Sequence, residues 1–262
     1  MRRFARAISQ YLQTYYALML EYRAEIFFWV IAGVLPFILM GVWVRASEGG
    51  TMSLSPVDFK RYFISVFVIR QLMVVWVVWE FEFQVVEGRL SPQLLRPIDP
   101  VWSFLTMHIS EQLTRIPFWA SIVAIFFLFN PDAFFVPSVS SFLLAVCAII
   151  MAFALRFAMG YTSAMLNFWV ERASAIEQLN FLPFLFLSGM IAPLALFPPG
   201  VRRVADYLPY PYFINFPANL LRGDTDAVGQ SFAIMAAWLT FFIVLNRILW
   251  RRGLKHYSAM GA

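Results

Sequence analysis

The sequence predicts an all-α, polytopic membrane protein with about six transmembrane helices, and three observations carry that prediction. First, 61% of the 262 residues are hydrophobic and only 13% are charged, against about 25% charged in an ordinary soluble domain. A soluble fold of this size has too little interior to hide so much apolar surface. Second, residues 26–44, 133–155, 178–201 and 227–246 contain no Asp, Glu, Lys or Arg. Such runs match the roughly 20 apolar residues that a spanning helix needs. Third, basic residues gather at the ends of these runs, so the net charge of +5 reads as the positive-inside pattern rather than as a nucleic-acid surface.

The elements follow in chain order. Residues 1–22 carry Arg2, Arg3 and Arg6 but no compact apolar core followed by a small-residue cleavage site, so they are not a signal peptide. Phe4, Ile8, Tyr11, Leu12, Tyr15, Leu18 and Met19 fall on one helical face, with Arg6, Ser9, Gln10 and Gln13 away from it. This predicts an amphipathic helix lying in the cytoplasmic interface. Spans are expected near residues 24–45, 61–83, 101–129, 137–168, 174–197 and 227–249. Residues 1–262 form one transmembrane domain, with no internal repeat and no separate soluble part. More basic residues fall in the segments on the N-terminal side of the membrane than in the others, which places both termini inside, in agreement with an even span count. Trp43, Trp102, Trp169 and Trp250 sit near expected span ends, where an amphipathic ring is stable. The single cysteine, Cys147, lies in an apolar run, excludes an intrachain disulfide and reads as a small core residue.

Sites of familiar chemistry are missing from the sequence. It holds no GxxxxGK[ST] phosphate loop, no HExxH and no GxSxG. His108 and His256 are far apart and show no metal-ligand spacing.

Three sets of residues remain as candidates. The connection at residues 84–100 returns charge after a span and is punctuated by Gly88, Pro92 and Pro97. Ser91 is expected to cap a short helix with Pro92 at its first position, presenting Leu94, Leu95 and Arg96 to a partner protein. A plain connecting loop is the alternative. Residues 198–226 are too apolar for a solvated loop and too rich in proline for a straight span. Two short helices near 200–207 and 212–222, parted by Pro209 and Pro211, would dip into the outer leaflet and pack against protein there. Finally, Arg70, Arg115, Arg156, Glu80, Glu82, Glu111 and Glu177 lie in or near the spans. A charge at mid-membrane costs about 2.5–3.5 kcal/mol on insertion scales, so these groups pair or face a cavity. Glu111 and Arg115, four residues apart, are placed to pair on one helix face.

Taken together, the basic amphipathic start, Glu87–Leu90 and Leu94–Pro97, the span from Asn180 to Gly189, the region from Pro198 to Pro217 and the terminal stretch from Trp250 to Gly261 resemble the membrane subunit of ABC transporters of the type 2 permease class. The similarity is to a bacterial exporter group that includes dye and viologen exporters, and it covers nearly the whole length. Order, length and topology carry it rather than any single motif. The resemblance implies a permease in the bacterial inner membrane with no ATP-binding motif of its own. It would form a translocation path as a homo- or heterodimer, with ATP and magnesium bound by a separate cytoplasmic ATPase pair. It further implies that Glu87, Gly88, Arg89, Leu90, Leu94, Leu95, Arg96 and Pro97 couple to that ATPase, and that residues 1–22 are an interfacial elbow helix. The segment bearing Pro198, Pro199, Pro209 and Pro211 would be an external gate. Glu80, Glu82, Glu111 and Arg115 are the candidates for the path itself. An amphiphilic or cationic small molecule is the expected cargo, since aromatic faces with nearby carboxylates suit a lipophilic cation. Lipid or lipid-linked glycan is the alternative cargo. A secondary transporter, which would show paired broken helices in repeated halves, and a non-transporting membrane scaffold are the alternative functions.

Overall fold

The computed structural model describes residues 2–50 and 52–257; Met1 and residues 258–261 of the terminal stretch lie outside the described residues. Those residues form twelve α-helices and no strand. They are α1 (Arg2–Glu21), α2 (Arg23–Ala32), α3 (Leu35–Ser47), α4 (Pro56–Leu72), α5 (Val77–Val86), α6 (Leu90–Leu94), α7 (Val101–Phe129), α8 (Val139–Ala164), α9 (Ser174–Leu187), α10 (Pro199–Ala205), α11 (Asn215–Leu221) and α12 (Val228–Gly253). Five stretches are long and apolar enough to cross a membrane: Arg23–Ser47, Pro56–Val86, Val101–Phe129, Val139–Phe168 and Val228–Gly253. The protein is therefore a multi-pass α-helical membrane protein.

The sixth expected span is only partly helical. α9 has 14 residues, about 21 Å at ~1.5 Å per residue, which falls short of a hydrocarbon core about 30 Å thick. It ends because the chain turns at Ser188 and Gly189. Gly189 has φ +88°, and a Cβ there would meet the Tyr62 hydroxyl at 2.5 Å and Asn215 Cβ at 2.7 Å. Only glycine combines that backbone with that space.

Two spans are broken, and side chains from neighbouring helices satisfy the backbone groups the breaks release. The first span divides between α2 and α3, where Pro36 lies in the first turn of α3 and has no N–H to continue the ladder. The Gly33 carbonyl accepts from Arg70 Nη1 at 3.0 Å, and the Val30 carbonyl accepts from Gln71 Nε2 at 3.2 Å. The second span divides between α4 and α5, although the sequence reads there as one continuous run. Gln112 Nε2 donates to the Leu72 carbonyl at 2.7 Å, and the Trp76 N–H donates to His108 Nε2 at 2.8 Å. His108 Nδ1 lies 2.8 Å from the Phe104 carbonyl. That nitrogen therefore carries the proton, which leaves Nε2 free to accept. Irregular backbone inside a membrane survives only where such partners or a cavity meet it.

α8 occupies the centre, packed by α12, α11 and α5. Ala145, Ala148 and Ala152 are fully buried along it, and such small side chains let helix backbones approach closely in lipid. Cys147 is not a core residue: it is exposed on the outward face of α8 with Leu143 and Ile150. One set of buried residues, with Tyr62, Phe63, Leu155 and Phe213, fills the half of the bundle nearest residues 188–227. A second, with Phe81, Leu90, Phe104 and Phe168, fills the half nearest residues 87–100. The α1 helix packs on the start of α7 through Ile8, Tyr11, Leu12 and Tyr15: Tyr15 hydroxyl meets Ser103 Oγ at 2.5 Å, and Ser110 Oγ donates to the Leu12 carbonyl at 3.2 Å.

Candidate functional site

The segment between α5 and α7 is a short helix anchored on one side and bare on the other. Gly88 turns the chain with φ +69°, a conformation that costs a residue with a Cβ about 1–2 kcal/mol. The α6 helix then starts at Leu90, one residue before the expected Ser91 cap, and Arg89 occupies the cap position without a side-chain bond. Ser91 Oγ instead meets the Tyr257 hydroxyl at 3.1 Å. Pro92 still falls in the first turn, where a missing N–H leaves no ladder bond unmade. Leu90 is fully buried against Phe81, Phe104 and Phe168, and Leu94 packs partly on the same cluster. Gln93 Nε2 donates to Gln84 Oε1 at 2.7 Å, and Asp99 pairs with Arg247 of α12 at 2.5 Å.

The other face of the segment is unencumbered. Leu95 is 88% exposed, and Arg96 and Pro97 are exposed beside it. Arg89 lies over the exposed Phe83 ring at 4.9 Å and pairs with Glu87 at 2.8 Å. Leu95, Arg96 and Pro97 thus form an exposed apolar and basic face on a base fixed by the buried Leu90. An exposed leucine of this kind finds no partner within the described residues.

The intramembrane charges separate into distinct roles. The expected Glu111–Arg115 pair forms at 2.5 Å, and Arg115 Nη1 also donates to Gln71 Oε1 at 3.3 Å, which links α7, α4 and the break after α2. Glu82 accepts from the Ser174 N–H at 2.8 Å and from Ser174 Oγ at 3.1 Å, so it caps the start of α9. A carboxylate there also meets the positive end of the helix dipole. Glu80, one turn beyond Trp76, has no ion-pair partner among the described residues. Arg156 of α8 pairs with Glu177 of α9 at 2.6 Å, a contact the sequence reading did not assign. The Arg156 guanidinium also lies over Phe184 at 5.3 Å.

Arg70, Arg156 and Glu177 line a cleft of about 290 Å³ that opens at the break between α4 and α5, with Trp76, Trp79 and Phe184 as part of its walls. The sequence places Arg70 and Arg156 among charges that pair or face a cavity, without assigning their partners; Arg156 does both and Arg70 faces the cleft. No local signal marks the break, because the side chains that hold it, His108 and Gln112, stand four residues apart on α7, 32 and 40 residues along the chain from their partners Trp76 and Leu72.

At the opposite end, the proline-rich segment folds as two short helices. Pro198 and Pro199 start α10, where proline fits the first helical position. Pro209 and Pro211 make the turn before α11. Asn215 holds this segment to α4: its Oδ1 accepts from the Tyr62 hydroxyl at 3.0 Å, while its N–H donates to the Ser188 carbonyl at 2.8 Å. Trp238 Nε1 donates to the Tyr207 carbonyl at 2.9 Å. Lys60 pairs with Asp132 at 2.8 Å across the same end, and that hydrogen bond holds the Asp132 carboxyl below its ordinary range.

Comparison with known proteins adds two findings. A family model described as an ABC-2 family transporter protein matches residues 59–261. No curated protein matches the chain.

Proposed function

The chain belongs to the ABC-2 transporter family, as the membrane subunit of an ABC transporter, and from that premise we propose that it is the permease of an ATP-driven exporter of amphiphilic small molecules. Two permease copies, identical or different, enclose the path. A separate ATPase pair, carrying ATP and magnesium, supplies the energy from the cytoplasmic side of a bacterial inner membrane.

One observation carries the reading: a family match across most of the chain in a sequence with no phosphate-binding loop. The anchored knob at residues 87–97 supports it as the docking element, because Leu90 fixes its base and Leu95, Arg96 and Pro97 are free to enter a cleft of the ATPase. ATP-driven closure of the ATPase would displace the knob and, through Phe81, the Asp99–Arg247 pair and the Glu82 cap on α9, the spans that carry them. A ligand or nucleotide shifts such an equilibrium only through different contacts in the two states. On this reading α1 is the interfacial elbow, both termini are cytoplasmic, and residues 198–222 close the path from outside.

Affinity purification of a tagged copy from its native host, in mild detergent, tests the proposal. A stoichiometric ATPase with GxxxxGK[ST] in the preparation is the expected result. A clean preparation without an ATPase would overturn it and favour a secondary transporter or a scaffold.

A further inference from the structure

We infer that the cleft at the break between α4 and α5 binds the anionic head of an amphiphile, a carboxylate or phosphate carrying an apolar tail. This rests on the permease reading and narrows its cargo. The break at residues 73–76 falls near the middle of the stretch Pro56–Val86, so the cleft lies close to mid-membrane depth. A guanidinium at that depth is unfavourable unless it meets an anion or water.

The cleft contains two guanidiniums and one carboxylate: Arg70, Arg156 and Glu177. Glu177 is committed to Arg156 through a single guanidinium nitrogen, Nη2, at 2.6 Å. The remaining nitrogens of that group, Nε and Nη1, are buried without any hydrogen-bond partner. Arg70 has no carboxylate partner at all among the described residues, and its assigned bond is to the Gly33 carbonyl through Nη1. The cleft thus carries an excess positive charge and unfilled donors. An Arg fork is matched by carboxylate or phosphate oxygens. A cation would meet net repulsion, which sets the cleft against the cationic cargo expected from the sequence.

Its shape fixes the rest of the ligand. A volume of about 290 Å³ holds a head group and a few methylenes. Trp76 is 37% exposed and Phe181 49% exposed at the rim, so an apolar tail leaves the cleft along aromatic surface toward lipid.

The test is binding of 9,10-dibromostearate to the purified permease in uncharged detergent, read as saturable quenching of tryptophan fluorescence by the bromines. The methyl ester and a quaternary ammonium with the same tail serve as comparisons. The carboxylate is expected to bind at least about tenfold more tightly than the ester, as for a hydrogen bond to a charged group. Trp76→Phe with Trp79→Phe should remove most of the saturable quench. Arg70→Gln should weaken binding by a similar factor, with Arg70→Lys restoring part of it. Glu177→Gln provides the decisive variant, because it frees Arg156: the inference expects tighter binding, whereas a merely structural pair predicts weaker binding.

Equal affinity for acid and ester, or preference for the ammonium, overturns the inference. So does inorganic phosphate competing as well as the amphiphile, since the tail then contributes nothing. Displacement by phosphatidylglycerol supports the inference and assigns the anion to a bilayer lipid; its failure to displace the probe, with anion selectivity intact, supports the inference and assigns it to cargo. The assay needs no ATPase. Loss of anion selectivity in a permease that still purifies with an ATPase sinks only this inference, and selective binding without an ATPase partner sinks only the exporter reading.

Discussion

Removal of the His108 side chain should unfasten the break in the second span. His108 Nε2 accepts from the Trp76 N–H at 2.8 Å, and Trp76 stands at the mouth of the cleft with Arg70. His108→Ala leaves that N–H without an acceptor in a region that water reaches poorly. A buried donor left unsatisfied costs about 1–3 kcal/mol in proteins generally, while side-chain hydrogen bonds inside membranes average about 0.6 and reach about 1.7 kcal/mol. His108 also packs edge-on against Phe157 at 5.7 Å, and that contact disappears too. The expected loss is therefore about 1–2 kcal/mol, or roughly five- to thirtyfold in the folded-to-unfolded ratio. Unfolding in mixed micelles by titration with SDS, followed by circular dichroism, reads it. Amide hydrogen exchange at Trp76 should accelerate by a comparable factor if local opening at the break governs it. His108→Gln, which keeps an acceptor oxygen, should recover part of both effects. An unchanged midpoint in His108→Ala, with Trp76 protection unaltered, would refute the claim that this bond holds the break.

Four further outcomes follow from the same geometry. Glu82→Ala removes the cap from α9 and should lower stability by about 0.5–2 kcal/mol in the same titration, with Glu82→Gln intermediate. Gly189→Ala combines a left-handed backbone with contacts to Tyr62 and Asn215 and should cost at least about 2 kcal/mol, seen as a lower yield of folded protein. Leu95→Asp with Arg96→Glu should abolish ATP-driven efflux and retention of the ATPase in a pull-down, yet leave the SDS midpoint within about 0.5 kcal/mol, because both side chains are exposed. The Lys60–Asp132 pair should give a pH signature. Its carboxyl titrates below its ordinary value in the fold, so the stabilisation is present above the unfolded pKa and fades as pH falls through the folded one. Thermal melts should therefore lose a small increment below about pH 4, and Asp132→Asn should abolish that increment.

The spans were legible because hydrophobic length is read directly from composition: the edges of α7, α8 and α12 fall within four residues of the spans expected near 101–129, 137–168 and 227–249. The proline-rich segment was legible for a local reason, since Pro199 and Pro211 dictate where α10 begins and where the chain turns. The break between α4 and α5 was hidden because no Gly or Pro marks it. Its cause lies in α7, where His108 and Gln112 offer the backbone alternative partners, and such a cause is not local. Ser91 misled the reading of α6, since burial of Leu90 in the aromatic cluster outweighs a capping preference. The charged residues were visible as unfavourable in lipid, but their partners depend on helix packing. Glu111 and Arg115 share a helix and pair as expected, whereas Arg156–Glu177, Glu82–Ser174 and Asp99–Arg247 join residues far apart in the chain.

The docking of a separate ATPase on residues 87–97 is tested most directly by a photocrosslinking amino acid placed at Leu95 in the native host, with Val204 of α10 as the comparison site at the other end of the bundle. Both positions are well exposed, at 88% and 63%. Irradiation should trap an adduct at position 95 whose peptides include GxxxxGK[ST], and no such adduct at position 204. Adducts lacking an ATPase at position 95, or the same ATPase captured equally from position 204, would contradict the account.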